Sequence, residues 1–266
     1  MGMSFLYRTN EWLLVAMFFL AMFGSILIGN KLGRRRQPHV TEASRGYAAG
    51  ILAGSIGLLG LILGFSFSMA LGRYDATKSQ IVSEANAVGT AFLRSQTLSP
   101  EDAKISRELF ARYADSLNAY YGAATNRAAI EAATQNLDQL RGQLWNQLIA
   151  VSRKNPNMVP TGLYMQSLNE MIDQGSLRLH LMQFRVPETL YALLSIISLL
   201  TLGLAGYVAG LASMKRSLSN TILAIMVSLV ILVIIDLERP KRGLIQVDGT
   251  RLDELQKTIK DFAELP

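Results

Sequence analysis

Four stretches of this 266-residue chain contain no Asp, Glu, Lys or Arg: Trp12–Asn30, Gly46–Gly72, Thr189–Met214 and Ser217–Ile235, which are 19, 27, 26 and 19 residues long. A helix advances ~1.5 Å per residue, so an uncharged apolar run of ~18 or more residues crosses a ~30 Å hydrocarbon core. Charged residues make up 17% of the chain, below the ~25% of soluble domains, and all of them lie outside these runs. The chain therefore reads as an all-α integral membrane protein with four transmembrane helices. Spans one and two (12–30 and 46–72, within 1–72) are joined by a basic linker, 31–45. Residues 73–188 form a helical insert outside the bilayer, spans three and four occupy 189–235, and 236–266 is a charged exit with an amphipathic tail.

Several chemistries are set aside by residues that are missing. The chain has no cysteine, which excludes disulfides, Cys-ligated zinc, iron–sulfur clusters and a thiol nucleophile. Its two histidines, His39 and His180, are far apart in sequence, and a metal site needs several donors together. Phosphate-binding loops, nucleophile elbows and zinc-protease motifs are lacking. No enzyme activity, catalytic residue, metal or cofactor is expected. The spans hold no ionisable side chain except tyrosine, which argues against a proton-coupled transporter. The first run exceeds the ~7–15 residues of a signal-peptide core and is expected to be a retained span. At the exit, Asp236 and Glu238 could join in cation coordination, but pairing with Arg239 and Arg242 at a wet helix end is the plainer reading.

The net charge of +6 is concentrated on two short loops of one membrane face. Lys31, Arg34, Arg35, Arg36 and Arg45 outweigh Glu42 in the first, and Lys215 with Arg216 forms the other. Short loops rich in Lys and Arg stay cytoplasmic, which places the insert outside the cytoplasm. The blander alternative is that Arg34–Arg36 form an anionic-lipid contact or gating patch with no bearing on topology. Arg178 and Arg185 are among the basic residues counted on the opposite face. With no aromatic platform interleaved among the cations, nucleic-acid binding is not expected.

Within the insert, Ile81, Ala85, Val88 and Phe92 extend span two as a soluble helix to about Arg94. Ser99 then suits an N-cap, with Pro100 at the first helical position and Asp102 completing a capping-box pattern. The following helix shows Ile105, Leu109, Tyr113, Leu117 and Tyr120 on one face. A third repeats every seven residues at Ile130, Leu137, Leu144 and Val151, with Ala133, Leu140 and Leu148 between. A fourth begins near Thr161, after Pro156 and Pro160, with Leu168, Met171, Ile172, Gly175 and Leu179 on one side. Pro187 admits the chain to span three. Leu252, Leu255, Ile259 and Phe262 make the tail amphipathic, for docking on the bundle or lying on lipid.

Span two carries the most informative pattern. Gly46, Gly50 and Gly54 make two overlapping Gly-x-x-x-Gly steps, and Gly60 with Gly64 makes a third. Gly203, Gly206 and Gly210 notch span three in the same way. In lipid, glycine lets helix backbones approach closely, either within one chain or between copies. Gly57, Leu61, Phe65 and Met69 recur every four residues, and a ring of such side chains could form an apolar constriction that gates ions by dewetting.

Leu63-Gly64-Phe65, then Gly72-Arg73-Tyr74-Asp75, a long helical insert, two closing spans and the exit Asp236-Leu237-Glu238-Arg239-Pro240-Lys241-Arg242-Gly243 resemble the bestrophin superfamily. The likeness is nearest to its bacterial bestrophin-like branch of unassigned function and covers about 10–260. It implies a bacterial inner-membrane homo-oligomer, pentameric in true bestrophins, with span two lining an anion-conducting pore. It carries the apolar neck onto Leu61 and Phe65, while the third neck position falls on Gly57, which is too small to constrict. The calcium-binding acidic cluster of eukaryotic bestrophins is not recognisable. The likeness also implies a cytosolic insert, opposite to the charge reading. The expected partners are further copies of the chain, membrane lipid and small anions. The alternative is a non-conducting scaffold or sensor whose insert binds a partner or ligand, with a lipid-acting enzyme third.

Overall fold

The computed structural model describes residues 11–123, 126–154, 158–183, 188–214, 218–238, 245 and 249–263. The elements are α1 (Glu11–Arg36), a 3-10 turn (Gln37–His39), α2 (Glu42–Ser95), α3 (Pro100–Gly122), α4 (Arg127–Lys154), α5 (Met158–Gln183), α6 (Glu188–Leu211), α7 (Leu218–Leu237) and α8 (Thr250–Ala263). Four of them, α1, α2, α6 and α7, are long and apolar enough to cross a membrane. The all-α membrane architecture follows the charge-free runs. The chain divides into two compact units, one drawn from 1–73 and 186–238, the other from 74–185 and 239–266.

In the first unit α1 lies along α6. Contacts pair Ser25 with Leu199, Ile26 with Gly206, and Asn30 with Gly210 and Met214, so both helices advance together and run parallel. The register is set by bare backbone. A Cβ at Gly29 would strike Gly203 and Tyr207, one at Gly33 would strike Tyr207, and one at Gly206 would strike Ile26. α6 ends where Ser213 turns to φ 62°, with the Met214 amide donating to the Ala209 carbonyl at 3.1 Å and the Ser213 amide to Gly210 at 3.0 Å. That is the left-handed termination usually assigned to glycine. Asn30 Nδ2 donates to the Met214 carbonyl at 3.0 Å and ties the turn to α1.

The first linker is shorter than the charge pattern implies. Lys31, Arg34, Arg35 and Arg36 lie on the last turns of α1, exposed, and the connection is reduced to the 3-10 turn and two residues before α2. Pro38 cannot donate to a continuing ladder, which stops α1 there. Lys215, Arg216, Asn155, Pro156, Arg185, Pro187 and the exit from Arg239 to Gly243 lie outside the described residues.

In the second unit the pairs Ser116–Asn136, Tyr113–Arg141 and Asp102–Gln147 make α3 and α4 antiparallel. Likewise Gln80–Gln174 and Arg94–Leu163 run α2 against α5. Val88 and Phe92 of α2 meet Phe110, Tyr113 and Leu117 of α3, Leu137, Leu144 and Leu148 of α4, and Tyr164 and Leu168 of α5 in one core. Ser99 caps α3 as its sequence suggests: its hydroxyl accepts from the Asp102 amide at 3.3 Å and donates to the Asp102 carboxylate at 2.6 Å.

Three expectations are corrected in detail. The buried face of α3 is centred on Ser106, Phe110, Tyr113 and Leu117, while Ile105 is 47% exposed; small residues such as Ala103 and Ser106 take the close-packed positions. α5 starts at Met158, and Pro160 sits in its first turn, where no helical donor is needed. Arg178 lies in the bundle interior and not on a membrane flank. As for the tail, α8 docks on the bundle. Leu252, Leu255 and Ile259 are buried, Phe262 packs edge-on against Phe92, and Asp115 and Asn118 of α3 hold Asp253, Gln256 and Lys260. Burial alone would raise the Asp115 carboxyl, but the Gln256 and Lys260 hydrogen bonds and the Lys260 charge bring it below its ordinary value.

Candidate functional site

The membrane part of α2 has two unlike sides. Leu59, Leu63, Ser66 and Ala70, spaced four, three and four, are buried within the chain. Gly50, Gly54, Gly57, Leu61 and Gly64 fall on the opposite side by the same helical count. A Cβ at any of these glycines, or at Gly60, would meet no heavy atom within 4 Å. Leu61, Phe65 and Met69 are 55%, 66% and 47% exposed. Two of the span's hydroxyls are spent within the helix: Ser55 and Ser66 donate to the carbonyls four residues back, at 2.9 and 2.8 Å. The far face of α2 is thus uncharged and notched, and among the described residues nothing of its own chain fills its notches.

The predicted glycines therefore sort into two sets. Gly203, Gly206 and Gly210 are filled by α1, so their notches serve packing inside one chain. Those of α2 from Gly50 to Gly64 are open, and Gly46, also open, lines a shallow cavity beside α6. Gly29 and Gly33, the partners of α6, form a further Gly-x-x-x-Gly step in α1, with the spacing of those read in spans two and three. Just past the end of α7, the side chain of Glu238 is buried and faces Arg73 of α2 at 3.4 Å. Asp236 is buried as well. Among the described residues, no group of three or more His, Cys, Asp or Glu could hold a metal ion.

A second polar centre, unseen in the sequence, lies in the insert. Arg178 of α5 donates from Nη1 to Glu84 Oε1 of α2 at 2.6 Å, and both side chains are almost wholly buried, at 1% and 0% exposed. The Tyr121 hydroxyl donates to Glu84 Oε2 at 3.1 Å, and the Tyr120 ring lies 4.4 Å beneath the guanidinium. Arg141 reaches in from α4, donating from Nε to the Tyr113 hydroxyl at 3.3 Å, and its guanidinium rests where a side chain on Gly175 would be. Burial pushes the Glu84 carboxyl up, against the pull of Arg178 and the Tyr121 hydrogen bond. The Tyr121 hydroxyl is likewise raised by burial and by the neighbouring carboxylate. Removing one partner of a charge pair at such depth leaves the other ion buried and uncompensated, which is costly.

The family profile described as the Bestrophin-like domain matches residues 12–252. Among solved structures, the bacterial Bestrophin homolog from Klebsiella pneumoniae phased on zinc superposes with a TM-score of 0.67 at 13% identity, covering 95% of this chain and 98% of that one. Two single-residue mutant forms of that homolog give TM-scores of 0.66 and 0.64 at 14% and 13% identity, each covering 94% of this chain and 98% or 100% of their own. No curated protein matches the chain.

Proposed function

The chain belongs to the Bestrophin-like family, and from that premise we propose that it is a homo-oligomeric passive channel, pentameric by family resemblance, that conducts small anions along α2. The observation that carries this reading is the open α2 face. Close helix contact in lipid depends on bare backbone, and Gly50, Gly54, Gly57 and Gly64 offer it on the side that the chain leaves uncovered. Around an axis, the exposed Leu61 and Phe65 form the narrow apolar ring, with Gly57 a wide step before it. Arg34, Arg35, Arg36 and Arg45, exposed near the start of α2, raise the local anion concentration at that end.

The test is conductance of the purified full chain in planar bilayers, with its subunit number from native mass measurement. Several copies and an anion-selective reversal potential in a chloride gradient are expected. Leu61→Ala and Phe65→Ala should raise the conductance severalfold by widening the ring, and silence from every oligomer would overturn the proposal.

The insert is proposed to face away from the cytoplasm, on the strength of the basic residues that close α1. Removing Arg178 from the membrane flank sharpens that asymmetry. Ser116 is buried, so a reporter belongs at the exposed Glu108. A Glu108→Cys chain should react with a membrane-impermeant maleimide in intact cells, and protection until lysis reverses the orientation. A scaffold reading draws on the exposed Leu93, Val159 and Leu163 of the insert, an apolar area open to a partner. A sealed axis together with a stoichiometric partner bound through these residues would favour it.

A further inference from the structure

We propose that the cavity between the start of α2 and the end of α6 is a binding site for an anionic phospholipid, one per chain. It has a volume of about 660 Å³ and is lined by Val40, Glu42, Arg45, Gly46, Ala49, Val208, Leu211 and Ala212. Its two ends differ in chemistry. Ala49 of α2, Val208 and Leu211 of α6 and Ala212 just past its end give an apolar wall, while Glu42 and Arg45 belong to the first turn of α2. An amphiphile matches that division, with its acyl chain against the wall and its phosphate toward Arg45.

The charge around the polar end selects the sign of the headgroup. Gly210 packs against Asn30, Gly33 and the Arg34 backbone, which brings the basic end of α1 beside the cavity-lining end of α6. Arg45 Nη2 points to the Gln37 carbonyl at the limiting distance of 3.5 Å, an interaction that leaves most of the guanidinium's donors for a headgroup. Arg34, Arg35 and Arg36 are exposed, so four arginines stand against the single carboxylate of Glu42. The Thr41 hydroxyl accepts from the Ser44 amide at 3.3 Å and caps the 54-residue α2, whose positive end faces the same region. Basic pockets between transmembrane helices are built to hold anionic headgroups. A free phosphate would satisfy the arginines but leave the apolar wall wet, which is why the lipid is the occupant.

The site is tested on the purified full chain, reconstituted in nanodiscs of phosphatidylglycerol or of phosphatidylcholine and released into native mass spectrometry. Phosphatidylglycerol should be retained at one molecule per chain, and phosphatidylcholine at least tenfold less. Arg45→Gln should cut retention about tenfold and Arg45→Lys much less, while Arg153→Gln on the insert should change nothing. Ala49→Trp, which fills the wall, should abolish retention; if that variant fails to fold, Arg45→Gln decides. Equal retention of the two lipids, wild-type retention by Arg45→Gln, or full release of the lipid by millimolar inorganic phosphate would each overturn the proposal. Retention is independent of conductance, so a silent channel that keeps its lipid leaves this inference standing.

Discussion

Glu84→Ala is expected to destabilise the insert by about 3–5 kcal/mol, the cost of leaving a buried ion without its partner. Arg178 stays protonated at any accessible pH, and at 1% exposed it cannot turn to water. Arg178→Met should cost less, for a reason that the site supplies. The carboxylate left behind can neutralise itself by taking a proton, and burial already pushes Glu84 in that direction. The two variants therefore separate by pH. With Arg178 gone, the folded-state pKa of Glu84 lies further above its unfolded value. Such a group binds more protons folded than unfolded, so the variant is most stable below the unfolded value and loses stability as pH rises through the folded one. The Glu84→Ala chain has no carboxylate at this site, so the pH dependence that a raised Glu84 gives the Arg178→Met chain should be missing from it. Denaturant unfolding followed at pH 4.5 and pH 8 reads both. Equal pH dependence in the two variants would remove the buried pair from its structural role.

Why this pair escaped the sequence is instructive. Glu84 and Arg178 stand 94 residues apart, each amid residues that make it look like one more solvated charge on an amphipathic helix. Only the antiparallel approach of α2 and α5 puts them face to face, and no local periodicity encodes that. The four spans were legible because a missing charge is a statement about every residue in a run. The Ser99–Pro100 start was legible because a cap is decided within four residues. On α3 the large apolar residues mark the right face except for Ile105: Tyr113, Leu117 and Tyr120 are buried and Leu109 packs on the core, while Ala103 and Ser106, too small to carry an apolar signal, take close contacts. Gly29 and Gly33 carried the same spacing as the glycines read in spans two and three, so their signal was present in the chain. The sequence could not say which notches are filled from within: Gly206 and Gly57 have the same neighbourhood in one dimension and opposite ones in three.

That difference sets up the sharpest contrast. Gly206→Val should prevent assembly of α1 on α6, since its Cβ would overlap the Ile26 carbonyl and the backbone around it, which no rotamer can move aside. Overpacking of this kind costs ~1–3 kcal/mol and more where backbone is the obstacle. The expected result is loss of folded, monodisperse protein. Gly57→Val introduces the same side chain on α2, where a Cβ meets no atom of the described residues beyond its own turn of helix within 4 Å. There the protomer should fold with unchanged helicity and even gain a few tenths of a kcal/mol of helix propensity. Any damage must then appear between copies, as a changed subunit number or a lost conductance. Circular dichroism, native mass and bilayer recording on the two variants separate intra-chain from inter-chain glycine. If Gly57→Val leaves both subunit number and conductance as they were, the open face of α2 faces only lipid, and the proposed pore must be sought elsewhere.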